Sequence, residues 1–166
     1  MLTDFSGLFI HPYIEKQAIS DLLACNEESR AYGLVLSETE AAELTETRSH
    51  ILKDNGRIEF SGGVMVKLVK AFTPSPYLQQ SQYLETLQEL LDIFYTYKNE
   101  TRDQIGDDDL IDIMKSRFNG CCSGSLELLR YREMEALSDR IRFGLPVYIN
   151  GTREDEDQGE SEDLYE

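Results

Sequence analysis

The chain has 166 residues, 40% hydrophobic and 29% charged, the balance of a single globular domain. Sixteen Lys and Arg face 32 Asp and Glu, a net charge of −16 that argues against binding nucleic acid by phosphate neutralisation and against an anionic membrane surface as partner. No run nears the roughly 18 apolar residues of a membrane span. Residues 1–10 carry Asp4 and no basic lead, so no signal peptide is expected and the expected location is the cytoplasm.

In chain order, Glu15–Cys25 places Ala18, Ile19, Leu22 and Leu23 at helical spacing. Tyr32–Leu36 is a short apolar run that reads either as a strand or as an extended link lying on the core. Ser37, with Glu40 three residues on, forms a capping box. The helix it opens runs to about Asn55, where Gly56 suits the stop. Its apolar stripe is Ala41, Leu44, Ile51 and Leu52, and Arg48 falls inside that stripe. A guanidinium there either snorkels at the stripe's edge or faces an internal polar cluster or an anionic ligand.

Arg57–Phe60 alternates polar and apolar residues, an extended pattern with Arg57 and Glu59 on the face opposite Ile58 and Phe60. Ser61-Gly62-Gly63 breaks the chain before a buried helix over Val64–Phe72, with Lys67 and Lys70 near its edges. Backbone amides at such a helix start can bind a phosphate or carboxylate. Thr73-Pro74-Ser75-Pro76 ends the helix.

The longest helical signal runs from about Leu78 to Lys98. One stripe holds Leu84, Leu87, Leu91 and Phe94, and the next holds Tyr83, Leu90 and Tyr97. Lys98-Asn99-Glu100 reads as its C-terminal cap. Asp107–Asp109 charges the start of another helix, whose core face is Leu110, Ile113, Met114 and Phe118. Ser123 or Ser125 caps the last helix, with Leu126, Leu129, Leu137 and Ile141 inward and Gly144 and Pro146 as stops. Glu127 in its first turn suits the helix dipole, and is also a candidate partner for Arg48 or Arg57. Val147–Ile149 reads as a terminal strand or a docked extension.

Residues 151–166 hold eight acids and one arginine, a net −7 of the chain's −16. Two apolar side chains there, Leu164 and Tyr165, cannot offset the entropy of ordering, so the segment reads as a disordered acidic tail. The expected architecture is an all-α bundle of about six helices over 1–150, followed by that tail. If the short apolar runs pair, the alternative is an α+β fold with a minor two- or three-stranded sheet.

Three cysteines, an odd number, argue against a disulfide framework. Cys121 and Cys122 are adjacent and lack a zinc-chelating gap, so one buried and one partly exposed thiol is expected; a redox role would need a lowered pKa. Neither His11 nor His50 has a ligand-spaced partner. No metal and no cofactor are expected. Phosphate-loop, dinucleotide, zinc-protease, nucleophile-elbow and calcium-loop motifs are absent.

Several stretches together resemble a known group: Tyr32-Gly33-Leu34, Glu46 to Arg48, Gly56-Arg57-Ile58-Glu59-Phe60 with Gly62-Gly63, Ser75-Pro76-Tyr77, Phe94-Tyr95 with Lys98-Asn99-Glu100, and Gly124-Ser125-Leu126-Glu127. Over roughly Asn26 to Leu137 the chain resembles a family of uncharacterised proteins from Gram-positive, largely clostridial, bacteria. The resemblance implies a bacterial, cytoplasmic protein and transfers no catalytic residue.

The sequence therefore favours a non-enzymatic interaction or regulatory module with a protein partner. A second reading is a small-anion binder or enzyme built on a polar cluster of Arg48, Arg57, Glu59, Gly62, Gly63, Lys98, Asn99 and Glu127. A third is an acidic decoy of a nucleic-acid-binding protein, which the net charge permits.

Overall fold

The computed structural model describes residues 15–60 and 62–147. Six helices carry the fold, and no strand occurs among the described residues, so the bundle is all-α. Helix α1 covers 15–24, α2 is Glu38–Asp54, α3 is Gly63–Phe72, α4 is Tyr83–Glu100, α5 is Asp107–Asn119, and α6 covers 126–142. A helical turn at Asn26–Ser29 and a 3-10 turn at Arg30–Tyr32 follow α1. The expected acidic tail and most of Val147–Ile149 lie outside the described residues.

Helix α4 is the axis. It packs on α2, α3, α5 and the start of α6. Its buried residues include Leu87, Leu90, Leu91 and Phe94 of the expected stripes, and also Ile93, Tyr95 and Lys98. A helix wrapped on nearly all sides needs this breadth of burial. It begins at Tyr83, five residues later than the periodicity predicts. Gln80 is committed elsewhere: its side chain accepts from the Val35 N–H (2.7 Å) and donates to the Val35 carbonyl (2.8 Å). That bond holds a 3-10 turn at Gln80–Gln82 instead of the first turn of a longer α-helix.

The run ending at Leu36 is the extended link, with Leu34 and Leu36 buried. A link on a core must satisfy its backbone polar groups somewhere. Two amide side chains do this in place of a neighbouring strand. Gln80 takes both groups of Val35, and Asn26 takes both groups of Leu36, at 2.9 and 2.8 Å. The capping box then opens α2: Ser37 accepts the Glu40 N–H, and Glu40 accepts the Ser37 N–H, each at 3.1 Å.

Helix α6 is not uniform. A short α-helical turn at Leu126–Leu128 is capped by Ser125, which accepts the Leu128 N–H. A π-helical segment, Leu129–Met134, follows, and Glu135–Arg142 completes the rod. The Tyr97 hydroxyl lies 2.6 Å from the Arg130 carbonyl and 2.8 Å from Glu135 Oε1, so its proton fastens α4 to the π segment. Among the described residues no helix is long and apolar enough to cross a membrane.

Replacing Asn26 with Ala leaves the Leu36 N–H and carbonyl without their partner. Urea denaturation should show a loss of about 2 kcal/mol, the scale of a stranded backbone pair.

Candidate functional site

The expected polar residues other than Glu127 divide into three groups around the start of α3 and the end of α4. The first is built on Arg48. It is only 2% exposed, so the snorkelling alternative does not hold: the guanidinium turns inward. Its Nη1 donates to the Gly62 carbonyl at 2.9 Å. Burial pushes its pKa below the usual range, opposed first by Glu59 and then by Tyr95, Asp21 and Glu15. The Tyr95 hydroxyl donates to Glu59 Oε2.

The two glycines are fitted to this cluster. A Cβ on Gly62 would sit 2.1 Å from the Val66 side chain. Gly63 has φ +51, which L side chains rarely adopt, and a Cβ there would touch the Glu59 carboxyl at 3.5 Å. At the helix start whose amides could take an external anion, the Gly62 N–H donates to the chain's own Asp21 Oδ2 at 3.2 Å. Helix α1 is thereby tied to α2, α3 and α4 through one junction.

The second group is built on Arg57. Its Nε and Nη2 donate to Asn99 Oδ1 at 3.0 and 2.6 Å, and Nη2 also reaches Asp103 at 2.7 Å. Asn99 in turn donates to Asn55 Oδ1. The third is Lys98, which donates to the Ile105 carbonyl at 2.5 Å and pairs with Asp107 at 2.8 Å. Lys98 and Asn99 therefore do not form the expected C-cap. Helix α4 continues to Glu100, and both side chains reach sideways to other elements. Glu127 is exposed on the first turn of α6 and is not among the acids that act on Arg48 or pair with Arg57.

These groups determine how 57–60 is presented. Arg57 and Glu59 are half-buried, Arg57 bonded to Asn99 and Asp103 and Glu59 to the buried Tyr95. Alternation then forces Ile58 and Phe60 outward, and they are 83% and 69% exposed. Beside them lies a cleft of about 510 Å³ lined by Arg48, Arg57, Glu59, Leu52, Glu46 and His50, among others. Arg48, Arg57 and Glu59 are the sequence candidates it brings together. The residues that sequence reasoning missed are Asp21, Asp103 and Tyr95.

The cleft carries a hydroxyl, Ser49, and an imidazole, His50. Its Ser49 hydroxyl donates back to the Thr45 carbonyl of the same helix, and its His50 lies 3.8 Å from Glu46, so neither holds the other as nucleophile and base. Among the described residues no three His, Cys, Asp or Glu side chains converge as a metal site. Cys122 is buried and Cys121 exposed. Burial, with Cys121 beside it, pushes the Cys122 thiol up to about 11, far from a reactive thiolate at neutral pH. Cys121 Sγ lies 2.8 Å from Glu133 Oε1, as a thiol donating to a carboxylate.

Removing Arg48 alone strands the acids around it. Arg48→Ala should cost about 3–5 kcal/mol, and Arg48→Met combined with Glu59→Leu should cost less than Arg48→Met alone. A denaturation-based double-mutant cycle measures both.

Burial pushes the phenols of Tyr83, Tyr95 and Tyr97 above their ordinary value, and Glu59 and Glu135 raise the latter two further. The folded state thus holds these protons more tightly than the unfolded chain, where a phenol titrates near pH 10. Their contribution is complete below about pH 10 and is lost as pH rises above it. Phenolate absorbance at 295 nm from these three should appear together with loss of helix, and Tyr95→Phe should shallow the alkaline decline.

A family model described as a family of unknown function, DUF6323, matches residues 21–146. No curated protein and no solved structure matches the chain. The match takes in the three polar groups and every helix from α2 to α6, and the chain belongs to the DUF6323 family of unknown function.

Proposed function

We propose that the protein is a non-enzymatic interaction module of the bacterial cytoplasm, and that it docks an apolar segment of a protein partner along residues 57–60, beside the cleft. The observation that carries this reading is the outward placement of Ile58 and Phe60. Burying a large apolar side chain is worth about 1.5–3 kcal/mol, and here two stand one residue apart on a segment anchored from behind. Exposed apolar residues set close together within a polar rim are one feature of docking surfaces.

The small-anion alternative has less support. Arg48 and Arg57 already face the chain's own acids, and an incoming anion would have to compete with Glu59 and Asp103. The decoy alternative rests on the net charge of −16 alone.

The test is the paired variant Ile58→Ser and Phe60→Ser in the full chain. Its stability should stay within about 0.5 kcal/mol of the parent, because neither side chain is in the core. A stoichiometric partner captured at high salt from a clostridial lysate by the parent should be lost by the variant. Equal capture by both proteins would overturn the reading.

A further inference from the structure

We infer that residues 57–60 engage the partner by strand addition, and that the partner presents an extended, cationic peptide with apolar side chains at alternate positions. The inference rests on the docking reading above and adds to it a mode and a chemistry.

The mode comes from a contrast within the molecule. The chain has two extended links beside α2. In the first, every backbone polar group of Val35 and Leu36 is taken by a side-chain amide, from Gln80 and Asn26. In the second, Arg57 N–H donates to the Leu52 carbonyl at 2.8 Å, but the backbones of Ile58 and Phe60 make no hydrogen bond with any described residue. In an extended segment, residues two apart direct their N–H and carbonyl groups to the same edge. Among the described residues, Ile58 and Phe60 thus offer an unpaired edge together with two exposed apolar side chains, the pair of features that an added strand uses. The edge is held in place, since Arg57 is bonded to Asn99 and Asp103 and Glu59 to Tyr95. A template ordered in advance lowers the entropy cost of binding.

The chemistry comes from charge. The chain is net −16, which repels a second copy and attracts a cation. Of the acids lining the cleft beside the edge, Glu46 is exposed and Glu15 half-exposed; Lys53 is an exposed cation there, while Arg57 is committed to Asp103. A peptide carrying Lys or Arg between its apolar residues matches this surface.

The experiment uses the full chain and a phage-displayed random heptapeptide library, counter-selected on the Ile58→Ser, Phe60→Ser variant. The enriched peptide is then synthesised with its amides N-methylated in two alternate sets. Enrichment of alternating apolar and basic residues is expected, with affinity falling at least tenfold for one set and less than twofold for the other. Equal effects of the two sets would overturn strand addition while leaving docking at Ile58 and Phe60 intact. An acidic consensus would overturn the cationic assignment. Failure to enrich any peptide, or binding indifferent to the double variant, would overturn the docking reading and this inference together. A parent dimer in sedimentation that the double variant abolishes would assign the edge to a second copy and overturn the peptide proposal.

Discussion

A single buried guanidinium organises this protein. Arg48 lies on the apolar stripe of α2, where ordinary helix patterning would place a leucine. A cation taken out of water loses several kcal/mol of hydration and must recover it from oriented acceptors. Glu59, the Gly62 carbonyl and Asp21 surround it, and none is on its own helix. To bring them there, the chain between α2 and α3 must run past Arg48 with its polar side chains inward. Three consequences follow: glycine at 62 and 63, a carboxylate accepting from the Tyr95 phenol, and two apolar residues turned to solvent.

Helix α4 meets the same physics from the other side. It is buried almost all round, yet its C-terminal half carries Tyr95, Tyr97 and Lys98. Each sends a polar tip to a different neighbour: the 57–60 link, the π segment of α6, and the start of α5. The apolar bodies of these side chains fill the core, while their tips fix the angular positions of the elements around it. Hydrophobic packing alone is non-directional; these tips supply direction.

Local signals were legible and distant ones were not. The capping box of Ser37 and Glu40, the stripe from Ala41 to Leu52, and the core face of α5 depend on residues three or four apart, so spacing reveals them. Arg48 stood out as an anomaly because it breaks such a stripe. Its partners lie 11 to 47 positions away, and no spacing rule reaches that far. At 57–60 the alternation identified two faces correctly, but could not say that the polar face is the inner one, because that depends on Asn99, Asp103 and Tyr95. Tyr95 left only one trace, an aromatic residue off the main stripe of a long helix. The late start of α4 was hidden for a related reason: Gln80 is consumed by a tertiary bond to Val35.

The π segment of α6 bears on chain length. Leu129 and Met134 are both fully buried although they are five positions apart, a spacing that a regular α-helix would put on different faces. The wider turn accommodates one extra residue and returns the stripe to the core. Deleting a single residue there would restore regular α-helix and leave the residues beyond it facing the core as before. The loss would be local, in the contact that the Tyr97 hydroxyl makes with the Arg130 carbonyl. Surface loops absorb insertions and deletions cheaply, and in this stretch a widened helical turn does the same inside a packed rod.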